Sequence, residues 1–313
     1  MASVINTIIA CFGVFSLWRF VYKTAHALWI QFFRPSELHK YRHATPASWG
    51  LVTGASDGIG LEIARELLSN GFNVFVHGRN EKKLQGVKQT LLTQFPDRSV
   101  ELIVADAASP DIDYNAIATQ VNSVSGSLTV LINCVGGIIS DPIYVPLDQL
   151  SGADIDTNIA MNARFPTRLT SALLPTLKQN KPSLIINAGS FAGVFGMPYI
   201  ATYTSTKAYI HTFTLALRAE LECEGVEGVE VMGSLIGDTT SSRNTTADNG
   251  MKVPAAACAK GMLAKAGCGE TLVAPDWRHW ATSLVILMLP ESVGRKLLGP
   301  EMKRRREEEM KGK

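Results

Sequence analysis

Apolar positions along the chain follow two rhythms. Short apolar runs alternate with longer stretches in which apolar side chains recur every three or four positions. The short runs predict strands at 48–53, 73–77, 100–105, 128–133, 183–188, 229–235 and 270–274. The longer stretches predict helices at 58–70, 81–94, 112–124 and 203–223, plus a long helical region over 148–177 broken at Pro166 and Pro175. In the first helix Ile59, Ile63 and Leu67 share a face, and Gly71 stands at its stop. Strands of this kind, separated by helices, predict a doubly wound parallel α/β sheet with helices on both faces.

The alternation begins only near residue 48, and what precedes it has another character. Met1 to Trp18 carries no charged side chain; Arg19 and Lys23 follow, then a second uncharged stretch from Thr24 to Phe33. A bilayer span takes roughly 17–25 apolar residues. Residues 1–34 are therefore expected to be a hydrophobic membrane anchor, spanning the bilayer or lying on it. A basic n-region is missing, so a cleaved signal peptide is not expected. Arg19, Lys23, Arg34, Lys40 and Arg42 flank the anchor on its C-terminal side, which places the following domain in the cytosol. The glycosylation acceptor Asn244-Thr-Thr246 is then expected to stay unmodified. Residues 35–47 read as a polar basic linker, 48–275 as the α/β domain, and 276–313 as an amphipathic extension with a charged tail. Within the extension, Leu284 to Pro290 is too short to span, and fits a core or an interfacial helix. Lys303-Arg-Arg-Arg306 and Glu307-Glu-Glu309 read as a solvated helical tail.

Composition narrows the function classes. A net charge of +2 argues against a nucleic-acid partner. The five cysteines, Cys11, Cys134, Cys223, Cys258 and Cys268, contain no C-x-x-C pair. Neither a zinc site nor a disulfide framework is expected, and reduced thiols suit a cytosol-facing domain.

The candidate chemistry sits in two clusters. Gly54, Gly58 and Gly60, within Thr53-Gly-Ala-Ser-Asp-Gly-Ile-Gly60, follow the first strand and open the first helix. Such a turn lets backbone approach a pyrophosphate, with helix N–H groups facing the anion. It points to a Rossmann-type nucleotide site formed by Gly54, Ser56, Asp57, Gly58, Ile59 and Gly60. An acidic residue ending the second strand would bind a ribose 2′-hydroxyl; here the chain reads Val76-His77-Gly78-Arg79. Arg79 can instead pair with a 2′-phosphate, so the expected cofactor is NADP(H). In the second cluster Lys207 follows Tyr203 by four residues, placing both on one helix face. An ammonium there favours phenolate and is expected to lower the Tyr203 pKa. Ser190, after the fifth strand, can donate a hydrogen bond to a substrate oxygen gaining charge. Tyr203 and Lys207 are also expected to contact the cofactor.

Thr-Gly-Ala-Ser-Asp-Gly-Ile-Gly60, Gly71-Phe-Asn73, Gly189-Ser-Phe-Ala-Gly193 and Ala201-Thr-Tyr-Thr-Ser-Thr-Lys207 resemble the short-chain dehydrogenase/reductase family. The resemblance covers about residues 45 to 290 and is strongest to the branch of microsomal very-long-chain 3-oxoacyl-CoA reductases and 17β-hydroxysteroid dehydrogenases. The hydrophobic N-terminus and Pro275-Asp-Trp-Arg-His-Trp280 agree with that branch. The resemblance implies a catalytic domain over 48–275 and a tetrad of Asn162, Ser190, Tyr203 and Lys207. It implies that Asp106 contacts adenine and that Asn133, in Asn133-Cys-Val-Gly136, steadies the sheet near the cofactor. Cys134 departs from the family pattern. In relatives the backbone carbonyl of the residue corresponding to Asn162 holds a water; here Pro166, four residues on, has no N–H to occupy that carbonyl. Asn158 is the rival assignment. Thr239 would meet the nicotinamide carboxamide, although the family's Pro-Gly before it is absent from Ser234-Leu-Ile-Gly-Asp-Thr239.

The implied substrate is a lipophilic ketone, either a 3-oxoacyl-CoA or a steroid, and the implied place is the endoplasmic reticulum membrane. The ending Met310-Lys-Gly-Lys313 lacks the spacing of a dilysine retrieval signal. A ketoreductase of a specialised lipid or polyketide pathway is one alternative. A non-catalytic dinucleotide-binding sensor or scaffold is another. The pattern leaves open the direction of the reaction and whether the chain forms a homo-oligomer.

Overall fold

The structure is a computed structural model describing residues 2–45, 47–240 and 250–311. Asn244 lies outside the described residues. Seven parallel strands form one sheet: β1 (Ser48–Val52), β2 (Asn73–Gly78), β3 (Val100–Val104), β4 (Ser127–Asn133), β5 (Ser183–Ala188), β6 (Val229–Ser234) and β7 (Leu272–Val273). Their spatial order is β3-β2-β1-β4-β5-β6-β7, with Val52 beside Val76 on one side and Ile132 on the other.

Strand side chains alternate between faces, and both faces are covered, so the strands carry apolar side chains toward both. On one face Val52, Val74, Val130 and Ile186 pack with Ile63 and Leu67 of α2 (Gly58–Ser69), Leu84 and Leu91 of α3 (Glu81–Gln94) and Met262 of α8 (Ala255–Ala264). On the other, Leu51, Phe75, Leu131 and Ile185 pack with Ile117 of α4 (Tyr114–Asn122), Leu169 and Leu173 of α6 (Phe165–Gln179) and Leu217 of α7 (Ala201–Cys223). Asp57, Asn80 and Asp113 cap α2, α3 and α4 by accepting from backbone N–H groups.

The region expected to break at two prolines is continuous. α5 (Gly152–Ile159) passes through one π-turn, Ala160–Arg164, into α6. Phe165 N–H bonds back to Ala160 O, five residues away, so the wide turn falls just before Pro166. A regular turn there would press the proline ring on the carbonyl four residues earlier. Pro175 sits inside α6 without ending it.

The N-terminal stretches join in one helix, α1 (Ala2–Phe32). Its early residues, Val4 to Tyr22, stand exposed, including Ile8, Phe12, Phe15 and Trp18. Its last turn is docked. Ile30 belongs to the core, Lys265 Nζ donates to Ile30 O at 2.7 Å, and Gln31 Nε2 donates to Ala274 O at 3.0 Å. The stretch read as a linker holds a 3-10 turn, Leu38–Tyr41, with Leu38 and Tyr41 buried.

The tail differs from the solvated helix expected. α9 (Trp277–Met288) ends before Pro290, and α10 (Glu291–Lys311) runs back over the body of the domain. Met302 is buried, and Arg305 and Glu309 bond to residues far away in sequence.

Candidate active site

The strand order reverses between β1 and β4, and a crevice opens beyond their C-terminal ends. Thr53 ties the two strands there. Its hydroxyl donates to Ile132 O at 3.2 Å and accepts from Cys134 N at 2.9 Å and Val135 N at 3.0 Å. The glycine turn follows. Gly54 has φ +67°, a conformation that costs a side-chain-bearing residue energy. A Cβ on Gly60 would collide with the Gly54 carbonyl, so this glycine lets α2 start close against β1. Ser56, Gly58 and Ile59 are half-buried, and Asp57 is exposed. Asp57 accepts from Gly58 N at 2.7 Å and from Lys83 Nζ at 3.0 Å. Arg79 is exposed at the end of β2 and has no partner among the described residues. Asp106 is exposed after β3, its carboxylate accepting from Ala108 N at 3.0 Å.

Asn133 lies deeper. Its amide donates to Thr170 Oγ1 at 2.9 Å and to Asn187 Oδ1 at 2.8 Å; Asn187 in turn donates to Thr214 Oγ1 at 2.9 Å. This buried polar chain crosses the sheet from α6 to α7.

The four tetrad candidates converge at the crevice. Lys207 Nζ, buried, donates to Ala188 O at 2.8 Å, leaving two further donors. Its nitrogen is 5.7 Å from the Tyr203 ring centroid. Ser190 Oγ, close by the Tyr203 phenol, accepts from Ala192 N at 3.1 Å. Asn162 Oδ1 accepts from Gly137 N at 2.9 Å, and its amide donates to Gly137 O at 2.9 Å and Asn158 O at 3.0 Å. A Cβ on Gly136 would lie 2.7 Å from Asn162 Oδ1 and 3.1 Å from Lys207 Nζ, so the missing side chain keeps a polar recess open between them. Asn158 is one turn away, with its amide 3.5 Å from Gly137 O. Thr239 is buried after β6; its hydroxyl donates to Gly237 O at 3.2 Å and lies 3.4 Å from His279 Nε2.

The short chain dehydrogenase family model matches residues 49–250. The chain belongs to the short-chain dehydrogenase family. A very-long-chain 3-oxoacyl-CoA reductase of Coprinopsis cinerea is 33% identical over 224 residues, 71% of this chain and 64% of the relative. A very-long-chain 3-oxoacyl-CoA reductase of Scheffersomyces stipitis is 30% identical over 295 residues, 90% of this chain and 83% of the relative. Among solved structures, a metagenomic short-chain oxidoreductase in complex with NADP is 27% identical, with a TM-score of 0.59, covering 72% of this chain and 96% of that one. The expected branch of the family is the one these relatives occupy.

The electrostatics of this short-chain dehydrogenase correct one expectation. Burial pushes the Tyr203 phenol above its ordinary range, with the nearby Ser190 hydroxyl pulling partly back. Burial outweighs the Lys207 ammonium, which donates to the Ala188 carbonyl. Burial lowers Lys207 itself to about 8.

Two histidines that sequence reasoning passed over hold the site together. His77 Nδ1 accepts from Gly54 N at 3.4 Å, and its ring stacks on Phe165, bracing the glycine turn from β2. His211 Nε2 accepts from Ser190 N at 3.3 Å and fills the space beside Gly189. A signal for His211 was present: it stands one turn after Lys207, on the same helix face. Burial lowers each histidine to about 4. Both are therefore neutral when folded but take up protons near 6.5 when unfolded. Their contribution to stability is present above about 6.5 and is lost as pH falls toward about 4. The melting temperature is expected to drop through this window, and His77→Asn should flatten the slope. An unchanged slope in that variant would contradict the assignment of neutral imidazole at His77.

Beside Tyr203 lies a small cleft of about 130 Å³ that opens to solvent. Ile138, Ile143, Val145, Leu150 and Ile200 give it apolar walls, and Asn158 and Tyr203 give it a polar end.

Proposed function

We propose that this chain reduces a ketone on a lipophilic substrate to a secondary alcohol with NADP(H). A 3-oxoacyl thioester is the first candidate substrate, and a steroid-like ketone the second. The observation that carries the reading is the meeting of Ser190, Tyr203 and Lys207 at the polar end of an apolar cleft. The names of the reductase relatives and the NADP complex of the related oxidoreductase support it. So does the donor set. The turn after β1 and the unpaired Arg79 suit a phosphorylated dinucleotide, and the recess over Gly136 suits its polar reacting end.

When bound, the reduced cofactor supplies a hydride to the carbonyl carbon. Tyr203 gives its phenolic proton to the carbonyl oxygen, and the raised pKa keeps that proton in place until charge develops. Ser190 donates a hydrogen bond to the same oxygen. Lys207, still largely charged near neutral pH, stabilises the phenolate left behind. Asn162 fixes the Gly136-Gly137 backbone facing Lys207, and its own carbonyl, lacking a Pro166 N–H, is suited to hold the water that returns the proton. Asp106, Asn133 and Thr239 are the residues to test for contact with the adenine, the sheet-side wall and the carboxamide. Ketone-dependent oxidation of NADPH by the purified full-length protein tests the activity.

The reading includes a bilayer. Val4–Phe32 is 29 residues with a mean hydropathy of 1.8, about 44 Å at 1.5 Å per residue, longer than the ~30 Å hydrocarbon core. Its first half is apolar on every face, which favours insertion over lying flat. The basic residues that follow Trp18 favour a cytosolic catalytic domain, and the resemblance to the microsomal reductase branch favours the endoplasmic reticulum membrane. Full-length protein is expected to stay in the pellet after carbonate extraction. Removing residues 2–18 should release a soluble enzyme that still reduces a water-soluble ketone, because docking begins near His26. Carbonate release of the full-length protein would contradict the anchor.

A further inference from the structure

The carboxylate of Glu309, near the end of α10, accepts from two successive backbone groups, Ile143 N at 2.7 Å and Tyr144 N at 3.2 Å. One turn earlier, Arg305 donates to Asp238 at 3.3 Å. Glu301 steadies Arg305 from within the helix at 2.8 Å. The Arg306 guanidinium lies 5.2 Å from the centre of the Tyr199 ring. These contacts fall on two separate stretches of chain. Residues 143 and 144 belong to the segment between β4 and α5, and Asp238 to the segment after β6. Ile143 and Tyr199 both line the cleft that ends at Tyr203.

A surface helix needs only its own ion pairs, each worth little in water. A carboxylate spent on two consecutive N–H groups does something else: it fixes the path of the segment that carries them. Here that segment carries Ile143 and Val145, whose apolar side chains line the cleft. Arg305 ties the same helix to Asp238, on the segment after β6.

We propose that α10 braces the outer wall of the substrate cleft from behind, and that Arg305 and Glu309 are positioning residues that set how firmly the cleft holds the extended part of a lipophilic ketone. This rests on the ketone-reduction reading. A short ketone occupies only the Tyr203 end, so it gains nothing from the clamp. A long one lies along Ile143 and Val145 and depends on it.

The test uses the full-length protein, NADPH and two 3-oxo thioesters that differ only in acyl length. Glu309→Ala and Arg305→Ala should each raise KM for the long substrate about tenfold, leave kcat unchanged, and shift KM for the short one by less than about twofold. Glu309→Gln keeps one acceptor oxygen and should fall between wild type and Glu309→Ala. An equal loss on both substrates would mean a merely structural role and would overturn the proposal, as would no change on either. Wild-type protein that oxidises NADPH with neither thioester, nor with any other ketone, overturns the reductase reading itself.

Discussion

Tyr203→Phe is expected to lower ketone-dependent turnover by about 10²–10⁴-fold, the range general acid catalysis contributes. The substitution removes one oxygen and leaves the half-buried ring in place. The proton that must reach the substrate oxygen then loses its acid, and Lys207, which donates to the Ala188 carbonyl with its nitrogen 5.7 Å from the Tyr203 ring centroid, is not placed to replace it. Ser190 keeps its hydrogen bond to the Ala192 backbone, so its loop should hold. Binding of NADPH, followed by fluorescence, should change little. Retention of more than about a tenth of wild-type turnover would remove Tyr203 from the acid role.

Cofactor choice should respond nearly as strongly to the pair Gly78→Asp and Arg79→Ser. Removing Arg79 deletes a charge-assisted partner for a 2′-phosphate, and such bonds contribute about 1.5–3 kcal/mol. The new carboxylate repels the phosphate and accepts from a 2′-hydroxyl. The preference for NADPH over NADH should therefore fall by at least about tenfold to a hundredfold. The site tolerates the change: a Cβ at Gly78 would lie 3.4 Å from the nearest Leu84 carbon, an ordinary contact. Initial rates with each cofactor, at saturating ketone, measure the ratio. A wild type that already prefers NADH would refute the reading of Arg79.

How much of this was legible in the sequence depended on the range of the interactions involved. The strands and the glycine turn were readable because their causes are local: short apolar runs, and a helix that begins at Gly58. Helix 81–94 and strand 183–188 have the bounds expected. The break expected at Pro175 did not occur, since the packing of Leu169, Leu173 and Leu177 on the sheet holds α6 together across it. At Pro166 the chain widened by one π-turn instead of stopping. The tail was misread because Lys303 to Glu309 looks self-paired in sequence, and Arg304 does pair with Glu301 and Glu308. Its neighbours Arg305 and Glu309 instead find partners 67 and 166 residues away. No local pattern reports such contacts.

The candidate site divides the same way. The spacing of Tyr203 and Lys207 could be read from helix geometry. The direction of the Tyr203 shift could not, because it is set by how deeply the fold buries the phenol. His77 was silent for the same reason, and the helix spacing that placed His211 beside Lys207 did not report its partner: each acts through a backbone N–H brought near by the fold.

The central claim is that this chain is a working ketoreductase. Its most direct test is NADPH oxidation by the purified full-length protein in vesicles, offered 3-oxoacyl-CoA thioesters and steroid ketones in turn. The account predicts oxidation that requires a ketone, yields the matching secondary alcohol, and disappears in Tyr203→Phe while NADPH binding survives. Tight NADPH binding with no ketone-dependent oxidation across the whole panel would contradict it, and would leave a dinucleotide-binding protein that does no chemistry.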